Sequence, residues 1–546
     1  MAFVAEHSDP LGSRIGSSAS GMVRRPEDRA QRNRSPGFGI VHRFTPTARD
    51  FRTPTDGLAP LGRRSAPRSQ QASTVAHRRP PYDCPSMIAA RLSMLQRFLL
   101  DVIGSFNPKD LTPAMRRNYV HELVSWCFLP FALGAIEGGT MGVVVKKAFS
   151  GSVDPWKLDM AVAVVTAAPN VANLCSFVWA SLAHGRRKVP FIAALQLATC
   201  LCVGLVAVIP VDEFGLVALC ALVLVARTCW TGVITVRTAV WRHNWPKGRR
   251  ASVAGKMATM QAVVLALCGA AIGQAMDLSP RNSIILFPAL AAIGLIGNAV
   301  YRRVTLMNED ELVAAERAGT DEDERPTLDP RRIVTVLRED PLYRSFMLHM
   351  FVFGLGNLML TQPQVSLMQD EFGLSYLEGI LATTIIPTAI MPLAIPLWSR
   401  LMDRSHITHF RSIHGWSFVA ASVLLWLAAL LHSLPLFYGA SVALGIGFAG
   451  GVLAWNLGHH DFAPPHRDAE YMSVHVTLNG IRGLMAPFIA APIYALLPPD
   501  GRHWVFLLCL VVNLAGMIGF IALARRVRRV HEATDPLGAS GTRPAA

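Results

Sequence analysis

Two ionisable side chains stand where an apolar chain should exclude them. Glu137 lies in Gly134-Ala135-Ile136-Glu137-Gly138-Gly139, inside an apolar run at about 120–146, and Arg227 is central in another at about 214–241. A charge at the centre of a membrane helix costs about 2.5–3.5 kcal/mol on insertion scales, so both are candidates for binding or proton chemistry. The competing reading is a buried pair or helix-end contact that only fixes packing. Arg237 is nearer the end of its run, where a long side chain can snorkel, and is set aside. His475, Asn479 and Arg482 are spaced four and three apart, which puts them on one helical face. Lipid would leave that stripe unsatisfied, so protein or water is expected beside it. Gln261, Asn357 and Asn456 are single amides in other apolar runs. For each, a hydrogen bond between helices outweighs ligand contact. His459, His460, Asp461 and His466 are metal-ligand types, but they crowd a loop beside Pro464 and Pro465 and no second cluster supports them. Neither a metal nor another cofactor is expected.

The elements that must hold these residues are long and apolar. Hydrophobic residues make up 51% of the 546, charged residues 16%, and mean hydropathy is +0.34. With long uncharged runs, that composition is a membrane protein's. The net charge of +15 does not imply nucleic acid, because Lys and Arg sit in tails and short loops. Eight of the nine cysteines lie in apolar segments, so they read as small fillers without a disulfide framework. No Walker loop is present, so ATP is not expected to drive the protein.

One polar interruption, about 305–344, holds 11 of the 37 acidic residues. Six apolar segments precede it, at about 120–146, 158–183, 189–210, 214–241, 251–276 and 282–304. Six follow, at about 345–369, 376–400, 410–432, 435–458, 469–497 and 503–525. Each reaches the ~20 residues needed to cross a bilayer. The expected fold is therefore an all-α polytopic membrane protein with twelve transmembrane helices, a six-helix bundle at 118–304 and another at 345–527. Within the interruption, Asp329-Pro330 starts a short helix with Ile333, Val334 and Leu337 on one face.

Residues 1–86 form a basic tail, with 14 Arg and no Lys up to position 85, and are expected to be disordered. A start at Met87 is the favoured reading, because ordered pattern begins there. Residues 87–117 comprise an amphipathic interfacial helix, with Ile88, Leu92, Leu95, Leu99, Val102 and Phe106 on one face, and a linker. Residues 528–546 are a second disordered tail. Basic residues crowd the loops after spans 2, 4 and 8 and the C-terminal tail, which places the even loops and both termini in the cytoplasm. The first loop, with Lys146, Lys147 and Lys157, is the exception.

The two halves also align at offsets of 217 or 218 residues: His243-Asn244-Trp245 on His460-Asp461-Phe462, Arg249 on Arg467, Gln261 on Asn479. A parallel duplication of six spans is a recurrent transporter plan. Over about 115–527 the chain resembles the major facilitator superfamily. The loop after span 2 carries Leu182-Ala183-His184-Gly185-Arg186-Arg187-Lys188, with His where the family places Asp, and Leu401-Met402-Asp403-Arg404 is the weaker second copy. Arg227 with Gly232 is a loose match to the span-4 motif, and the antiporter Gly-Pro motif is absent from span 5. The resemblance implies that spans 1, 4, 7 and 10 line a central cavity. Glu137 and Arg227 would then share one depth, and Gly185, Arg186, Arg187, Asp403 and Arg404 would gate the cytoplasmic side. The expected function is secondary transport of a small polar solute across the plasma (inner) membrane by alternating access, with proton coupling as an option. The partners are the solute and the lipid bilayer, and a monomer is expected. The alternatives are a histidine-dependent membrane metalloenzyme and a transporter-like solute receptor.

Overall fold

The computed structural model describes residues 106, 111–318, 330–464 and 467–534. The N-terminal tail and nearly all of the interfacial helix expected at 88–106 lie outside them. Every regular element among the described residues is helical. Before the central segment run α1 (Pro113–Phe128), α2 (Pro130–Ala135), α3 (Gly138–Ala148), α4 (Pro155–Asn173), α5 (Ser176–Ala183), α6 (Lys188–Leu205), α7 (Glu213–Asn244), α8 (Lys247–Leu278) and α9 (Ser283–Tyr301). The central segment holds α10 (Glu309–Ala318) and α11 (Pro330–Glu339), the latter where Asp329-Pro330 predicted it. After it come α12 (Pro341–Met359), α13 (Thr361–Asp370), α14 (Tyr376–Ile380), α15 (Ile386–Met402), α16 (Ile407–His414), α17 (Trp416–Leu430), α18 (Leu434–Leu457), α19 (Asp468–Leu496) and α20 (His503–Thr534). The last helix continues past 527 into the stretch expected as tail.

Local chemistry starts these helices. Asp154 accepts from Trp156 N ahead of Pro155, and Asp340 accepts from Tyr343 N ahead of Pro341. Asp212 accepts from Gly215 N at 2.7 Å, and Ser375 with Glu378 forms a capping box. Each device supplies an acceptor to helix N–H groups that otherwise have none.

Ten helical stretches are long and apolar enough to cross a membrane, eleven if α4 and α5, bent by 43°, form one span. The expected span at about 345–369 is absent from that set. It breaks at Leu360, and its second part, α13, buries Gln362, Gln364 and Ser366. The first span is also broken, at Leu129 and at Ile136-Glu137. Leu393, Val217 and Ile518 are 72%, 69% and 65% exposed, so apolar side chains face outward as in helices solvated by lipid.

Helices before and after the central segment touch through α4 with α19 and through α8 with α14. Small residues permit this approach. A Cβ on Gly483 would come within 2.2 Å of Asn170, and one on Gly273 within 2.6 Å of the Leu377 backbone. The glycine step Gly269/Gly273 thus packs against the other half of the chain.

Candidate functional site

The break in the first span positions its charge. Ile136 leaves the helical path and Glu137 is extended, at φ −65° and ψ 132°, before α3 begins. Arg227, inside the long α7, donates through Nη2 to Glu137 Oε2 at 3.2 Å. The guanidinium is buried, but the Glu137 side chain keeps 30% of its exposure deep within the span. Opposite it, Gly139 and Thr140 meet a π-helical turn at Leu381–Ile385: Thr140 Oγ1 donates to Thr384 Oγ1 at 3.3 Å, and Thr383 Oγ1 to Gly139 O at 3.4 Å. Such turns insert one residue into the helical ladder and recur at functional sites.

One membrane face is sealed between the halves. Lys146 is buried and donates to Asp159 at 2.7 Å and to Asp370 at 3.1 Å. Ser366 Oγ donates to Asp159 Oδ1 at 2.6 Å, and Tyr494 Oη and Arg502 reach Asp370 at 3.3 and 3.4 Å. Lys147 donates to Gln369 and Leu374 O, while Asp277 accepts from the backbone N–H groups of Tyr376 and Leu377. Nearby, burial raises the Glu371 carboxyl above its ordinary range, countered by His432 at 2.9 Å and by Arg502. This is the face of the first-loop lysines, the odd-loop face. Lys146 is bound to two carboxylates, so for this lysine the charge pattern has a local structural cause. Hydrogen bonds joining the two halves lie on this side and at the turn beside Glu137.

The even-loop face is organised differently. Gly185 adopts φ +68°, which suits a glycine, and its N–H donates to Glu316 at 2.6 Å. Lys188 Nζ donates to the same carboxylate at 2.6 Å, Arg187 pairs with Asp310 at 3.0 Å, and Arg317 Nε donates to Gly185 O. The acidic α10 therefore clasps the loop after span 2, and Arg186 points to solvent. Asp403 and Arg404 are exposed, with no side-chain partner among the described residues. The carboxylate–guanidinium pairing expected of Asp403 is thus not formed in this conformation. Asp461 instead accepts from Ile407 N at 2.6 Å, which starts α16. A surface cleft of about 570 Å³ lies between Arg187, Arg302 and Asp310, away from Glu137.

The stripe on α19 does share a face. Arg482 donates to Asn479 Oδ1 and to Met350 O, and His475 lies edge-on to Trp455 at 4.5 Å. Asn357 has a buried Oδ1 without a partner, Gln261 is half-buried, and Asn456 lies on α18 with its side chain outside the description. Among the described side chains, neither Asn357 nor Gln261 hydrogen-bonds Glu137. Arg237 does not snorkel: it is buried between Trp126 and Trp241, at 4.1 and 4.5 Å, beside Glu122, which accepts from Trp241. Two indole faces attract a cation more cheaply here than stretching to the surface would. The signal for it was Trp241, one turn after Arg237. Lys146, Asp159 and Asp370 were missed because each sits at a run's end, where charge is ordinary. Among the described residues no cluster of three His, Cys, Asp or Glu is placed to hold a metal.

The Major Facilitator Superfamily model matches residues 127–487, and the chain belongs to that family. Its fold is similar to that of a POT family transporter crystallised with a thioalcohol-conjugated peptide, at TM-score 0.54 and 13% identity, over 73% of this chain and 96% of the other. It is likewise similar to the nucleoside transporter NupG, as its D323A mutant, at TM-score 0.52 and 12% identity, over 75% and 99% of the two chains. A POT family transporter bound to 5-aminolevulinic acid matches at 0.54 and 14%, over 74% and 96%. Among curated proteins none matches. Family and fold are those of membrane transporters.

Proposed function

We propose that the chain is a twelve-span secondary transporter of two six-helix halves that moves a small polar solute across the plasma membrane by alternating access. The observation that carries this reading is the polar seal between the halves on the odd-loop face. Polar bridges between the halves crowd the odd-loop face, and on the even-loop face the central α10 clasps the loop after span 2. A charge pair, Glu137–Arg227, stands just inside the sealed face with its carboxylate still accessible. Relaxing the Lys146 bridges while Asp403 gains a partner would exchange the open side. The even-loop face is the cytoplasmic one, by its Lys and Arg. Glu137 and Arg227 hold solute or take up a coupling proton. The relatives named above bind a peptide conjugate and 5-aminolevulinic acid, polar solutes of modest size.

Counterflow in proteoliposomes tests the reading. Solutes that raise the melting midpoint of purified protein in a metabolite screen should exchange across the vesicle membrane. Binding without exchange would instead mark a receptor.

A further inference from the structure

The helices after the central segment bury two guanidiniums without a countercharge. Arg411 on α16 and Arg482 on α19 are 3% and 8% exposed. Neither lies within 4.0 Å of a carboxylate among the described residues. Two arginines of the helices before the segment are compensated: Arg227 pairs with Glu137, and Arg237 lies over two indole rings.

Arg482 reaches α12, and the helix of Arg411 ends beside the same stretch. Arg482 donates to Met350 O and lies against Gly354, where a Cβ would come within 2.1 Å of its Nη1. Arg411 is one turn before Gly415, where a Cβ would come within 3.3 Å of the Phe353 ring. Their donors are not exhausted. Arg411 Nε is buried without a partner, and its Nη1 has only a 3.5 Å contact to His414. His475 adds two buried ring nitrogens, neither with a hydrogen-bond partner among the described residues. Arginine stays charged, so proton loss cannot relieve the arrangement. Hydrogen bonds to Asn479 and Met350 satisfy donors but supply no negative charge. A buried charge that is neither paired nor neutralised is strongly disfavoured. Planar guanidiniums in such a site match oxyanions.

We propose that Arg411, Arg482 and His475 form a binding site for an oxyanion, a carboxylate or phosphate group of the transported solute. That the oxyanion belongs to a solute rests on the transporter reading; the site itself does not. Inorganic phosphate and succinate are the probes. At constant ionic strength in sodium chloride, either should raise the melting midpoint of the purified full-length protein saturably, by several degrees. Arg411→Met should weaken that response at least tenfold. Without added anion, the same variant should melt no lower than the parent, because it removes an uncompensated charge. Arg482→Gln should weaken the response in the same way, which keeps the test sound if one variant expresses poorly. Flat titrations with both anions overturn the proposal. So does a response that survives both substitutions, or a lowered midpoint of anion-free Arg411→Met, which would reveal a countercharge already in place. Counterflow of the stabilising anion assigns it to the solute. Stabilisation without its counterflow marks a resident anion and removes the solute from the proposal. Counterflow of a neutral solute with no anion response leaves transport standing and removes this site.

Discussion

At the residue scale, the decisive contact is Arg227 on Glu137, at 3.2 Å. Neutralising one partner strands the other charge in a low-dielectric site. Because Glu137 is 30% exposed, the loss should be about 1–3 kcal/mol, below the ~3–5 of a fully buried pair. Glu137→Gln and Arg227→Met are each expected to abolish transport and lower stability. If the pair works on solute or proton, the double change restores stability but not uptake. Restored uptake would make the pair structural, and additive losses would show that the two do not couple. Asp403 allows a second prediction. It has no side-chain partner among the described residues, so Asp403→Asn should leave the melting midpoint unchanged and slow turnover. A loss of solute affinity with normal turnover would move Asp403 into the binding path.

At the element scale, the closed face depends on α3, α4 and α13 meeting around one ammonium group. Lys146 is nearly inaccessible and bridges Asp159, in its own half, to Asp370 across the interface. Removing one member of a buried ion pair costs about 3–5 kcal/mol, more than any exposed bridge here could return. Lys146→Met should therefore lower the melting midpoint by several degrees. It should also make single cysteines near Asp370 label faster from the odd-loop side. Unchanged labelling would show that apolar packing alone holds this face shut. The exposed pair Lys157–Glu213, at 2.6 Å, makes the contrasting case, and its loss should be barely measurable.

At the scale of the whole molecule, the alternating access proposed above requires the two faces to separate and rejoin in turn. Spin labels at Ser152 and Asp500 on the odd-loop face, and at Arg186 and Arg404 on the even-loop face, should report distances that change in opposite directions when solute is added. Parallel changes at both faces would contradict alternating access. Deleting residues 2–86 should leave expression and transport intact, since their composition cannot build a core. Loss of folded protein from the membrane would show otherwise.

Fold class was readable along the chain, because hydropathy and insertion obey local rules. Runs of ~20 apolar residues must be helices in lipid, and α11 follows from Asp329-Pro330 and one apolar face. A charge inside such a run is conspicuous, so Glu137, Arg227 and Arg482 were legible. What lay at run ends was not. Lys146, Asp159, Asp370, Lys188, Glu316 and Arg411 look like ordinary loop charges until the helices pack. Distance between residues far apart in the chain leaves no local signature. Lys146 and Asp370 are joined only because α3 and α13 meet. For the same reason, packing alone reveals that Asp403 has no side-chain partner among the described residues, that Arg237 is held between indoles, and that span 7 breaks at Leu360 into a part that buries glutamines.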